Sequence, residues 1–393
     1  MKTICLFVLT ILLTTGPVQA EPKYKFNSAF GSTMTEGVTD EFLAKAREEG
    51  LLDQKPLNLE KIGNEDLAKV VALKDVLKGL KITNSPNLTD LSPLKELTGL
   101  ETLYLERLDK LTDLSPIAAV TSLKELEIRQ VNYASLDFLT PLDNLEVLKF
   151  FMMPKKPSDI SSVAGKPKLR IANFYGAEIT DISPLTDSKD LEELSLYMTK
   201  VADLSLLPTF SKLKKLSLYS VPATDMTPVG ELTELRHIWI YATKFKDYSP
   251  LAKLTKLEEL HAGISQFDRL DVVATMPNLR SLRLLRDKVT DFSPLAVSAN
   301  LEEVNIETQN VGDLGIFANK TKLKSLILRD CTVSNAGAIA DLPALETLSL
   351  RDAKGVDDIT VFKDLPKLRR LSVSKGAFPD QDLEVFGDKI SQQ

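Results

Sequence analysis

From Leu77 toward the C-terminus an apolar triplet of the form Leu-x-x-Leu-x-Leu returns at an almost fixed interval. Its first residues are Leu77, Leu100, Leu123, Leu145, Leu169, Leu191, Leu213, Leu235, Leu257, Leu279, Leu301, Leu323, Leu345 and Leu368. Every step from Leu169 to Leu345 is 22 residues, and the other steps are 22 to 24. Such self-similarity specifies a solenoid, because each unit is too small to bury its apolar face alone and must bury it against the next. A chain of 393 residues would ordinarily divide into two or three domains. An array escapes that division by extending one core along one axis.

A single unit shows how. In residues 191–212, Leu194 and Leu196 alternate with Glu193, Ser195 and Tyr197, the period-two pattern of a half-buried strand. Val201 and Leu204 turn inward again around Asp203. Six units continue with a hydroxyl residue and Pro: Ser92-Pro93, Ser115-Pro116, Ser183-Pro184, Thr227-Pro228, Ser249-Pro250 and Ser293-Pro294. A hydroxyl at the N-cap and Pro at the first helical position predict a short helical turn, of 3-10 type given its length. The expected fold is an α/β solenoid, a horseshoe with a curved parallel sheet on its concave face and short 3-10 or helical turns on its convex face. Its fourteen strands, about 4.8 Å apart, would span roughly 60 Å.

The ends depart from the pattern. Residues 1–20 carry Lys2, the apolar run Ile4 to Leu13, a Gly16-Pro17 breaker and Val18-Gln19-Ala20 ahead of Glu21. That is the plan of a secretory signal peptide, too short for a membrane span, so the chain is expected to be exported, secreted or periplasmic. Residues 21–56 are read as a leader and an N-terminal cap, with a short amphipathic helix over 39–50. The array occupies 57–376, opening with a partial repeat at Leu57. Residues 377–393 form a C-terminal cap, with a short helix over 379–390. Exposed solenoid ends need such polar faces.

Without its signal the chain keeps 48 of its 49 Lys and Arg and all 55 Asp and Glu, a net charge of −7. Mild acidity argues against nucleic acid and anionic membrane as partners. No later run reaches the roughly 18 apolar residues of a membrane span. Cys5 leaves with the signal, so Cys331 has no internal disulfide partner and reads as a small buried residue.

The triplet followed by Ile or Val, then Asp and Ser-Pro-Leu, resembles the leucine-rich repeats of bacterial internalins, in the subclass with 22-residue units. Ile179, Asp181 and Ser183-Pro184-Leu185 carry the likeness best, with Val289, Asp291 and Ser293-Pro294-Leu295. It covers residues 57–375 or so, and implies surface anchoring and recognition of a host receptor. Internalins place Asn three residues after the last Leu of the triplet. Here that column includes Ser85, Ala177, Thr199, Val221, Thr243, Ser265, Asp287, Gln309, Cys331 and Ala353.

A fixed register lets each outward strand position be read down the array as a row of neighbours. The residue after the first Leu gives Lys78, Glu101, Lys124, Glu146, Arg170, Glu192, Lys214, Arg236, Glu258, Arg280, Glu302, Lys324, Glu346 and Arg369. All fourteen are charged, and twelve of the thirteen steps alternate in sign. Opposite charges on adjacent strands contribute about 0.2–1 kcal/mol each, so the row reads mainly as a ladder that fixes register. Its one break is Lys214 beside Arg236. With Lys215 and His237 adjoining, a local basic patch is expected there.

The residue after the third apolar position gives Arg129, Phe151, Tyr175, Tyr197, Tyr219, Tyr241, Gly263 and Leu285 through the middle of the array. Five consecutive aromatics stand out in a chain that is 6% aromatic, and Trp239, the only tryptophan, shares their face. The opposite strand face already supplies the core, so burial is not expected to account for them. Cross-strand stacking is one explanation; an exposed binding surface is a second, compatible one, and the reading preferred here. The candidate ligand-binding residues are Phe151, Tyr175, Tyr197, Tyr219, Tyr241, Trp239, His237, Lys214, Lys215 and Arg236.

The expected function is therefore a non-enzymatic binding protein, without cofactor, that takes a protein or peptide with an acidic, partly apolar surface. A glycan such as a cell-envelope polysaccharide is the alternative, since aromatic rings suit sugar faces. A third class is a metal-dependent hydrolase built on His237, Glu259 and His261, which could in principle hold zinc. A lone solenoid offers that chemistry no enclosing cleft.

Overall fold

The structure, a computed structural model, describes residues 37–48, 52 and 56–392. The expected signal peptide and the leader over 21–36 lie outside the described residues. Within them the repeat builds one parallel sheet of 16 strands in sequential order. Two strands join the fourteen expected: Leu57–Glu60, from the partial first repeat, and Ile390–Gln392 at the far edge. The curved sheet has Leu194, Leu216 and Ile238 in register on its inner side, each 1% exposed or less. Triplet leucines such as Leu191, Leu213 and Leu235 are fully buried, so the core runs unbroken along the array.

The strands of this sheet from Gly79–Thr83 to Thr347–Leu350 are each left through one residue in the left-handed region, from Asn84 (φ 48°) through Met152, Ser220 and Ile264 to Asp352 (φ 55°). Only Gly176 is a glycine among these exits. The chain then turns inward at the column Thr199, Val221, Thr243, Ser265, Asp287, Gln309 and Cys331, all buried. Burial raises the Cys331 thiol to about 11, the behaviour of a packing residue.

The convex turns form as expected, but their cap differs. Five of the six Ser/Thr-Pro sites open 3-10 turns, such as Ser183–Leu185 and Ser249–Lys253, and Thr227–Gly230 forms a single α-turn. The hydroxyl residue is not the N-cap. It occupies the first helical position, and its amide donates to the Asp two residues earlier: Ser183 N to Asp181 Oδ1 at 2.8 Å, and Ser249 N to Asp247 Oδ1 at 2.8 Å. A carboxylate is the stronger acceptor for an orphan amide at a helix start, so Asp takes the capping role.

Both ends are covered. Helix α1 (Asp40–Glu48) buries Leu43 and Ala46 and is pinned by Arg47, whose guanidinium meets Asp75 at 2.7 Å and the Ala72 carbonyl at 2.6 Å. The C-terminal helix is shorter than expected, Asp380–Glu384. A 3-10 turn (Gly387–Lys389) follows, and Ile390–Gln392 then pairs with Leu371–Val373.

Candidate binding site

The register brings the outward columns together as read. Glu192 receives Arg170 at 3.2 Å and Lys214 at 3.0 Å, and Glu302 receives Arg280 at 2.5 Å and Lys324 at 2.7 Å. The alternating row is thus a chain of lateral ion pairs. These pairs also change the reading of its break. Lys214 turns to Glu192, Arg236 to Glu258 (2.7 Å), Lys215 to Glu193 (3.9 Å) and His237 to Glu259 (3.1 Å). The expected basic patch is therefore neutralised by acids on the flanking strands. Where like charges meet, each side chain relaxes toward its other neighbour.

The aromatic column is a stack. Ring centroids are 4.3 Å apart for Tyr175–Tyr197 and 4.1 Å for Tyr197–Tyr219, both near-parallel at 11°. Phe151–Tyr175 (6.0 Å) and Tyr219–Tyr241 (5.9 Å) are tilted extensions. The Arg129 guanidinium lies 4.0 Å above the Phe151 ring and closes one end. At the other end Tyr241 lies over Gly263, whose missing side chain makes room for the ring. The expectation that burial would not account for the stripe is corrected: Tyr219 and Tyr241 are 5% and 6% exposed, and with Leu285 they form a second apolar cluster on the concave face. Tyr197, Met198 and Trp239 pack against it half-buried. Burial and the neighbouring hydroxyls of Tyr175 and Tyr219 raise the Tyr197 phenol far above its usual range, so it stays protonated.

Beside the stack the middle column is small: Asn173, Ser195 and Ser217 lead to Trp239. The indole lies parallel to His237 and edge-on to His261, centroids 6.1 Å away in each case. His261 is buried, and burial with the nearby Arg283 lowers its pKa to about 3, so it is neutral. Its Nε2 is 3.1 Å from Ser281 Oγ. Burial is the largest single influence on Glu259 and pushes it upward, but the hydrogen bond from His237 and the nearby basic groups together outweigh it and leave the carboxyl lowered. His237, Glu259 and His261 do not converge on one point, and no group of three His, Cys, Asp or Glu among the described residues is placed to hold a metal.

Three parts of this surface are not marked as such by the residue pattern: the Arg129 lid, the Gly263 notch and the left-handed row next to the aromatics. That row is apolar or small from Met152 to Ile264 and polar outside it. The signal lies in the residue that follows each aromatic, one further column in the same register.

No family model and no curated protein matches the sequence. Solved structures do match. A leucine-rich-repeat protein of Leptospira interrogans is 18% identical, with 98% of each chain covered and a TM-score of 0.72. Internalin F of Listeria monocytogenes is 23% identical over 85% of this chain and 89% of its own, with a TM-score of 0.60. The ectodomain of the Arabidopsis thaliana receptor kinase GASSHO1/SCHENGEN3, solved with Casparian strip integrity factor 2, is 17% identical over 85% of this chain but 45% of its own, with a TM-score of 0.58. By fold, the chain is an internalin-like leucine-rich-repeat solenoid.

Proposed function

We propose that this chain is an exported, non-enzymatic binding protein that takes a protein or peptide on its concave sheet, at the stripe from Phe151 to Tyr241 with Trp239. The observation that carries the reading is the second apolar cluster, which the core does not need. It leaves Trp239, Tyr197 and Met198 half-exposed beside a floor of Ser195 and Ser217. Large rings next to small polar residues give contact area together with hydrogen-bonding groups. Recognition of Casparian strip integrity factor 2 by a similar plant ectodomain is in keeping with this use of the fold. Export rests on the residue pattern of 1–20, and no helix among the described residues is long and apolar enough to cross a membrane. We read 57–376 as one array between two caps, with no separately folding domain.

The stack weighs against the glycan alternative. Sugars pack on open ring faces, and both faces of Tyr197 are covered by its neighbours. Lys214, Lys215, Arg236 and His237, each paired with an acid, are assigned to the ladder rather than to an acidic partner. The hydrolase alternative is disfavoured because His237 is held by Glu259 and His261 is buried and neutral.

The test is to pan a random peptide-display library on residues 21–393 and titrate the selected peptides, following Trp239 emission. Binding should change that emission, and Tyr197→Ala should weaken it by about 1 kcal/mol or more. Panning that enriches no peptide, while a glycan array gives saturable binding, would overturn the reading in favour of the glycan.

A further inference from the structure

Ile264 is exposed, β-branched and left-handed at once. Its φ is 50° and it is 38% exposed. A β-branched residue at positive φ is a genuine outlier, and burial does not offset the strain here. The same exit holds Asn84, Asp330 and Asp352 in other repeats, residue types that tolerate this conformation, while exposed Thr308 (φ 59°) shares the β-branched strain but carries a polar side chain. Strain retained without packing directs attention to function.

Its surroundings are charged in one sense. Thr243, Phe245, Ser265, Phe267 and Asp287 point inward and are buried, so the residues between them face out. Those flanking Ile264 are Lys244 and Lys246 in the preceding repeat and Arg286 and Lys288 in the following one, all exposed. The repeats are laterally bonded on this flank, with Lys288 N donating to Phe267 O at 2.9 Å. None of the four cations has an acidic side-chain partner among the described residues. Asp268, the one exposed acid in these rows, adds only a weak attraction to Arg269, whose ion pair is with Asp271. In the charge ladder the cations named above are matched. Here they are not.

We infer that the rim around Ile264 anchors the partner, and that it takes an acidic segment carrying an apolar side chain. The apolar group would cover Ile264 next to the edge of the aromatic cluster, and flanking carboxylates would meet Lys244, Lys246, Arg286 and Lys288. This rests on the binding reading above but moves its acid-recognising part from Lys214 and Arg236 to the opposite end of the strands.

The experiment uses peptides selected from the same library on residues 21–393. They should be rich in Asp and Glu around one apolar residue. Ile264→Asn should weaken their binding at least tenfold while leaving thermal stability equal or higher, because Asn suits the left-handed exit and Ile does not. A residue with only a packing role would not separate the two readouts in that direction. The triple reversal Lys244→Glu, Lys246→Glu, Lys288→Glu should weaken binding at least tenfold and flatten its salt dependence. Lys95→Glu with Lys363→Glu on the convex side should change it less than twofold. Peptides without acidic excess, or acidic peptides unaffected by both rim variants, would overturn the inference. If those peptides still lose affinity on Tyr197→Ala, the concave reading survives without the rim. If no peptide is enriched, both fall.

Discussion

Tyr241 rests on the bare backbone of Gly263: a Cβ placed on Gly263 would come within 2.5 Å of Cδ1 and Cε1 of the tyrosine ring. The glycine thereby ends the aromatic stack and lets its last ring lie down against Leu285. Gly263→Ala should lift that ring and cost about 1–3 kcal/mol, the range for overpacking. Denaturant unfolding of the variant, with Trp239 emission as a local probe, checks it. A cost below about 0.5 kcal/mol would mean the ring moves freely and the notch is incidental.

The position of Gly263 was legible in the sequence, but its meaning was not. Period-two leucines specify which strand face is buried, and a 22-residue step specifies the neighbour, so Tyr175 beside Tyr197 followed from counting alone. What counting does not supply is where a side chain goes once its neighbours are present. Lys214 and Arg236 look like a basic patch in sequence because the row places their backbones side by side without showing where the long side chains turn. In three dimensions each cation chooses between two strands, and Glu192 and Glu258 decide the choice. The same holds for the convex caps: Ser-Pro was the visible signal, yet Asp181 and Asp247 accept the amides. The strain at Ile264 was hidden because nothing in the residue names marks a strand exit as left-handed.

Two glycines at positive φ separate conformational strain from collision. A Cβ on Gly176 (φ +74°) would meet nothing within 4 Å, whereas one on Gly355 (φ +86°) would approach the Val333 carbonyl oxygen to 1.9 Å. Gly176→Ala should cost about 1–2 kcal/mol from left-handed geometry alone. Gly355→Ala should cost about 2–4 kcal/mol, because the backbone pairing of Val333 with Lys354 must also open. In an array coupled through nearest neighbours that loss is local. Hydrogen exchange should accelerate around residues 332–355 and stay slow around residues 191–241. Uniform acceleration would show that the array unfolds as one unit.

Lys320 is a buried lysine in a leucine position. It is 2% exposed, and its Nζ donates to the Ala296 carbonyl at 2.6 Å. Burial lowers its pKa. Lys320→Met keeps the volume and leaves that carbonyl without its donor, at about 1–3 kcal/mol. Lys320→Ala adds a cavity and should cost more. Lys322→Met, two residues on and exposed, should stay within about 0.5 kcal/mol. Equal effects at positions 320 and 322 would remove the special role of the buried amine.

Stability should respond to acid in two opposed ways, and one substitution separates them. The capping carboxylates Asp90 and Asp181 are held below their ordinary pKa of 3.8 by the hydroxyl and amide of Ser92 and Ser183. Groups of that kind stabilise the fold above pH 3.8, and their contribution is lost as pH falls through the lowered folded-state values. Asp287 behaves oppositely. Burial raises it to about 6 despite hydrogen bonds from Ser265, and its Oδ2 has no partner. Its contribution is fully present below 3.8 and is lost as pH rises through about 6. The wild-type chain should therefore lose stability on both sides of a maximum near pH 4, from these groups taken alone. Asp287→Asn keeps an acceptor for Ser265 and cannot ionise, so it should flatten the decline between about pH 4 and 7 while leaving the acid limb in place. Unfolding curves from pH 3 to 8 for both chains provide the measurement. Parallel curves for the two would show that Asp287 stays ionised in the folded state.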